Sequence, residues 1–297
     1  MAADLKFFML LLTDGVLVGL MYSLIAMGFV LVYKATDALN FAQGEFVMLA
    51  GIVAGAVSAW AASFWVAAAV TILVMVVFSF ALERVVLRPL VGRPVIAVVM
   101  ATIGLAAIIR GVGPLVFGAG IRTIPLPFSD NPIFLGPLMI PPVQLAGAVV
   151  SVIFVLAFTW LFARTRAGIA LRAVADSQMV AMGMGINVPL YFAYAWALAG
   201  IVSAVGGVFW GSLLGVDSQL ALIGLKVFPV VILGGLDSVA GAVIAGILIG
   251  VIENLTAGYL DAYLGGGTKD LVPYVIMIIV LMVRPHGLFG KKTIDRI

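Results

Sequence analysis

The sequence predicts an all-α polytopic bundle of membrane-spanning helices, and three observations predict it. Of the 297 residues, 64% are hydrophobic and only 10% are charged. The apolar residues come in long runs, so that Val66–Leu82, Pro142–Ala163, Val188–Val216 and Leu271–Val283 carry no charge at all. Roughly 20 consecutive apolar residues cross the hydrocarbon core of a bilayer as a helix. The runs show no alternation with a period of two, which sets aside a β-barrel and leaves helices.

Spans are expected near residues 9–33, 46–63, 64–82, 95–117, 142–163, 188–214, 222–236, 239–257 and 271–284, about eight to nine crossings in one domain covering 1–297. The stretch 222–236 is short for a crossing and reads as a half-helix or re-entrant piece. Lys34–Glu45 interrupts two apolar runs with Lys34, Asp37, Asn40, Gln43 and Glu45, and reads as a loop or as a helix break at membrane depth. Met1–Phe8 has no basic n-region and no small-residue cleavage site, so the first span is expected to be retained.

Lys and Arg set the expected sidedness. Arg84, Arg88 and Arg93 follow one run, Arg164, Arg166 and Arg172 another, and Arg284, Lys291, Lys292 and Arg296 close the chain. The intervening loops, Ala119–Pro141 and Gly258–Asp270, hold only Arg122 and Lys269. Excess basic charge marks the cytoplasmic side, so all three clusters, and with them the C-terminus, are expected inside. If every span crosses, the N-terminus is outside; if one is re-entrant, it is inside. Ala119–Pro141 is rich in proline, which predicts a rigid, non-helical outer cap.

The composition also narrows the chemistry. Nearly all residues lie in or beside spans, which leaves no room for a soluble catalytic or nucleotide-binding domain, and no Gly-x-x-x-x-Gly-Lys-Ser/Thr sequence occurs. There is no cysteine and a single histidine, His286, so thiolate or His-based metal sites and triads are not expected. The net charge of +3 reads as membrane topology rather than as affinity for nucleic acid. An intramembrane enzyme would need clustered catalytic groups that the chain lacks. A stand-alone secondary transporter would need an intramembrane charge pair, for which Glu253 with Lys226 is the candidate.

Ionisable residues at membrane depth are costly and therefore mark candidate sites. Asp14, Lys226 and Glu253 beside Asn254 qualify; Arg110, late in the fourth span, is expected to snorkel toward the interface. Glycines and alanines recur at four-residue spacing at Gly15/Gly19, Gly51/Gly55, Gly207/Gly211/Gly215 and Ala242/Gly246/Gly250, which predicts close helix–helix packing. Two stretches, Asn40–Glu45 and Gly234–Ser238, each combine a helix break with a following small-residue span. Paired breaks of this kind point to a substrate path.

Arg164–Asn187 is too polar to span. It is helix-prone from Ala167 to Met182, with Asp176 as its single acid, and stops at Gly183 and Gly185. A short helix exposing Ala170, Ala173, Ala175 and Ala181 suits insertion into a partner's cleft; the same helix could instead lie on anionic lipid.

At this point the chain resembles the permease subunits of the branched-chain amino-acid family of bacterial ATP-binding-cassette importers. The resemblance is carried by Gly19–Ala26, Asn40–Glu45, Thr165–Gly168, Arg172–Ala173, Ala181–Gly185, Val231–Leu236, Gly241–Ala242 and Arg284–Gly290, in order along nearly the whole chain. It implies a non-enzymatic permease of the bacterial inner membrane that holds no cofactor of its own. It implies a second permease, often a non-identical homologue, two cytoplasmic ATPases that bind ATP, and an extracytoplasmic substrate-binding protein. It makes Ala167–Gly185 a coupling helix, with Arg166, Gly168, Arg172, Ala173, Asp176 and Gly185 as coupling residues. Asn40, Gln43, Glu45 and Glu253 are the pathway candidates. Family members often carry His where Gln43 stands. Substrates in the family include leucine-like and other amino acids, urea, short amides and small organic acids.

Overall fold

Backbone amides in hydrocarbon must find partners within their own segment, and this chain satisfies them with helices. The computed structural model describes residues 2–61, 63–91, 93–118, 120, 122–129, 131–136 and 138–290. The terminal basic residues Lys291, Lys292 and Arg296 lie outside the described residues, as does Ala119. Eleven α-helices follow in order among the described residues: α1 (Ala2–Thr36), α2 (Gln43–Ala61), α3 (Phe64–Leu82), α4 (Val95–Phe117), α5 (Pro142–Arg164), α6 (Arg166–Asp176), α7 (Gln178–Gly183), α8 (Val188–Leu214), α9 (Leu222–Gly234), α10 (Val239–Leu264) and α11 (Thr268–Val283).

All nine stretches expected to span are helical. Seven are long and apolar enough to cross a membrane; α9 and α11, at 13 and 16 residues, fall short of that length. The chain is therefore a polytopic helical membrane protein with seven full-length candidate spans. Apolar side chains such as Ile96, Ile103, Ile108 and Leu115 on α4, and Ile153, Leu156 and Trp160 on α5, are exposed, as befits helices whose surroundings in a bilayer are apolar.

The loop before α5 is not wholly irregular. Ile133–Leu135 (β1) pairs antiparallel with Leu138–Ile140 (β2) around Gly136, whose φ of +63° an L side chain seldom adopts. The hairpin escaped the sequence reading because each strand has only three residues.

The chain divides into two compact units. Unit 1 holds residues 1–30, 129–155 and 226–297; unit 2 holds 31–128 and 156–225. In unit 2, α2, α3 and α8 pack on one another and α4 packs on α2. Its interior includes Phe46, whose ring lies 5.4 Å from Phe78 and 6.1 Å from Trp196 between centroids. In unit 1, α10 packs against α11 and against the first part of α1.

The small-residue rows are crossing points. A Cβ on Gly15 would sit 2.6 Å from the Cα of Val251, and one on Gly19 would meet the backbone of Gly246 and Ile247. In unit 2 a Cβ on Gly207 would lie 2.7 Å from the backbone nitrogen of Gly51. Helices held in lipid by packing alone need such close approach.

One expected element is corrected. The single helix expected from Ala167 to Met182 is broken at Ser177, whose backbone is extended (φ −163°, ψ 111°). Ser177 ends α6 and caps α7, its Oγ accepting from the backbone N–H of Val180 at 3.3 Å. Serine competes with helix continuation in just this way.

Candidate functional site

The break between α1 and α2 is built from its own polar residues. Asn40 closes the turn that leads into α2: its Oδ1 accepts from the backbone N–H of Ala42 at 3.1 Å and its carbonyl accepts from the N–H of Gln43 at 3.2 Å. The two side chains also meet, Asn40 Nδ2 donating to Gln43 Oε1 at 3.1 Å. Gln43 Nε2 then donates to Ser203 Oγ on α8 at 2.9 Å, and Ser203 Oγ donates to the Ala199 carbonyl at 2.8 Å. Asn40, Gln43 and Ser203 are fully buried. Thr102 on α4 closes the other side, its Oγ1 accepting from the N–H of Phe41 at 3.2 Å.

Glu45, two residues after Gln43, pairs with Arg110 on α4. The Arg110 side chain is half exposed, so its stem reaches outward as expected, but its guanidinium has a specific carboxylate partner that sequence reading missed. Nothing in sequence spacing links residues 45 and 110. Gly44 makes the break compact, since a Cβ there would lie 3.0 Å from the Cα of Gly224.

Glu253 belongs to unit 1 and has its own surroundings. Tyr22 Oη donates to Glu253 Oε1 at 3.1 Å. Lys226 Nζ lies 3.8 Å from the same oxygen and 2.5 Å from Asp270 Oδ1, so one ammonium serves two carboxylates. Glu253 is 1% exposed and its Oε2 has no hydrogen-bond partner among the described residues. Asn254 donates to the Gly250 carbonyl at 3.0 Å, a bond within its own helix. The four pathway candidates thus form two clusters, Asn40, Gln43 and Glu45 in one unit and Glu253 in the other.

The 164–187 segment presents a different surface from the one expected. Ala181 is buried with Leu171 and Val174 against Val188, Phe192 and Ala195, Ala170 is buried too, and Ala173 is half-buried. Gly168 is buried as well: a Cβ would run into the backbone of Leu161 and Phe162, and its N–H is held by the Thr165 hydroxyl at 3.0 Å. The exposed face carries Arg166, Arg172 and Asp176, together with Ile169, Met179, Val180, Met182 and Met184. Amphipathic spacing on α6 turns Gly168, Ala170, Leu171 and Val174 inward and Arg166, Ile169, Arg172 and Asp176 outward. Gly185, at φ +80°, ends the segment.

Two further motifs meet in unit 1. Leu288 donates its N–H to the Leu233 carbonyl at 2.8 Å, and a Cβ on Gly287 would lie 2.9 Å from the nitrogen of Gly235. The Gly234–Ser238 break is therefore packed against Arg284–Gly290, and Ser238 caps α10 by accepting from Gly241 at 3.0 Å.

A family profile, branched-chain amino acid transport system / permease component, matches residues 11–281. The chain belongs to this family. As a permease it is similar to the high-affinity branched-chain amino acid transport system permease protein LivH of Salmonella typhimurium, 28% identical over 100% of both chains. It is equally similar, at 28% identity over 96% of this chain and 97% of that one, to BraD of Pseudomonas aeruginosa, which carries the same description. Among solved structures, PsaBC from Streptococcus pneumoniae in complex with Fab aligns with 93% of the permease and 92% of that chain. Its TM-score is 0.49 at 14% identity, too slight a likeness to argue from.

Proposed function

We propose that this permease is the membrane-spanning subunit of an ATP-driven importer for branched-chain or related amino acids in the bacterial inner membrane. The observation that carries the reading is the family match over 11–281, which runs through both units and supports a single permease domain. In this reading α9 and α11 complete eight to nine crossings, and the basic clusters and the C-terminus face the cytoplasm. An extracytoplasmic binding protein delivers the substrate to the outer loops. Two cytoplasmic ATPases drive the permease and a second, homologous permease subunit between outward- and inward-open states. Such a subunit makes and breaks no covalent bond of its substrate, so it is not an enzyme; ATP acts only through its differential contacts with two packings.

The α6–α7 segment is the proposed coupling element. Arg166, Arg172 and Asp176 with the exposed methionines supply a mixed charged and apolar docking face, while Gly168, Ala173 and Gly185 shape the segment beneath it. Asn40, Gln43 and Glu45 are proposed to line the pathway in one unit and Glu253 in the other. Passage then requires the buried Gln43–Ser203 bond to open, so these groups act as a latch in the state described. A family-typical alternative keeps the same machinery with urea, an amide or a small organic acid as cargo.

The test is uptake into proteoliposomes that contain the permease with its proposed partner permease and ATPases, the binding protein being added outside. Labelled leucine added outside with the binding protein is expected to accumulate only when ATP is enclosed in the lumen with the ATPases. Accumulation that persists without any ATPase would remove this reading in favour of a secondary transporter built on the Lys226–Glu253 pair.

A further inference from the structure

Unit 2 contains a cavity of about 190 Å³ bounded by the end of α1, the turn before α4, α7 and α8. At ~30 Å³ per liquid water it has room for about six waters, or one small organic molecule. Leu90, Val95 and Phe192 make part of an apolar wall. Asp37 and Arg93 line it with opposite charges, both are exposed, and neither forms an ion pair with any described residue. Trp196 lines it too; it is 1% exposed, and its indole Nε1 has no hydrogen-bond acceptor among the described residues.

The backbone of Asp37 lies at φ +54°, the one non-glycine residue with positive φ among those described. Aspartate tolerates that region better than most side chains, and such strain gathers where a site needs a group held in place.

These groups select a chemistry. A lone anion would be repelled by Asp37 and a lone cation by Arg93. A purely apolar molecule would leave the Trp196 N–H unpaired, which is costly in a buried position. A molecule carrying both charges and an apolar tail satisfies all three. The cavity also adjoins the latch: Trp196 touches Phe46, the residue after Glu45, and Ser203 lies seven residues further along α8, about 10 Å by helical rise.

We propose that this cavity binds a zwitterionic α-amino acid with an apolar side chain. Arg93 and the Trp196 N–H take the carboxylate, Asp37 takes the ammonium, and the Trp196–Phe46 contact separates the bound molecule from the Gln43–Ser203 latch. The proposal rests on the transport reading above and gives that reading a second resting place for its cargo.

The test uses the full chain in lipid nanodiscs with photo-leucine, a diazirine analogue of leucine, and maps the label by mass spectrometry. Label is expected within residues 87–98 and 178–196, displaced by L-leucine but not by isovalerate or isoamylamine, each of which lacks one charge. D37N and R93Q should each cut the labelling about tenfold, the effect of losing one charge-assisted partner. R93K, which keeps the charge, should retain most of it, and W196F should reduce it. Absence of label from these segments, labelling of D37N and R93Q at the level of the unsubstituted chain, or displacement by either half-analogue overturns the site. ATP-driven leucine uptake without labelling sinks the site alone; labelling without uptake sinks the transport reading and leaves the site standing.

Discussion

Gln43 shows how much a single buried amide decides. It accepts from Asn40 and donates to Ser203, joining α2 to α8 at a helix break. Gln43→Leu strands the Asn40 amide in a buried position, at a cost of about 1–3 kcal/mol. A lower melting temperature of the purified permease is the expected readout. Ser203→Ala should cost less, and the double variant should cost less than the sum of the two, because one bond is lost twice. A double variant that simply adds would show that the bond does not join the helices.

Glu253 and Lys226 call for a cycle of their own. Lys226→Met removes the ammonium nearest a buried carboxylate, and breaking such a pair costs about 3–5 kcal/mol when the carboxylate stays charged. Adding Glu253→Gln should recover most of that loss, measured again by melting temperature. Additive losses would mean that the 3.8 Å pair carries no coupling. The sequence singled out Glu253, Asn254 and Lys226 as polar groups in apolar runs. It was silent about Tyr22 and Asp270, because a tyrosine in a span and an acid in a loop are unremarkable until folding brings them to Glu253.

At the scale of elements, local rules were legible where they depended on near neighbours. Four-residue glycine spacing announced close helix–helix packing, and folding made α1 and α10 one of the pairs. Gly250→Leu should therefore collapse the yield of folded protein, since even a Cβ there would lie 2.6 Å from the Cα of Gly19. Gly104→Leu should leave the yield unchanged, because nothing lies within 4 Å of a Cβ at that position. Equal effects, read by size-exclusion of the detergent-solubilised chain, would refute the packing. The α6–α7 segment was legible as helix but not as surface. Its alanines could face a partner or the protein, and only the neighbouring apolar cluster with Phe192 and Ala195 turns them inward.

That inversion matters at the scale of the whole molecule. Gly168 sits against the backbone of α5, so Gly168→Trp would disrupt the fold and says nothing about docking. Met179→Glu with Met184→Glu changes only exposed side chains, 81% and 78% accessible. The pair is expected to cut co-purification of the ATPases and ATP-driven uptake about tenfold or more, as loss of an apolar anchor does, with melting temperature unchanged. Normal uptake and normal association in that variant would remove the coupling role of the segment.

Hydropathy and glycine spacing determined which stretches are helical and their near-complete coverage of the chain, and the ordered motifs from Gly19–Ala26 to Arg284–Gly290 carried the resemblance to the family. Each of these is a property of residues close in sequence, so no folded structure is needed to read it. Partner choice was decided by the tertiary structure alone: Gln43 finds Ser203 across 160 residues and Tyr22 finds Glu253 across 231. A buried polar group must be satisfied by whatever packing brings beside it, and packing over such separations leaves no trace in local spacing.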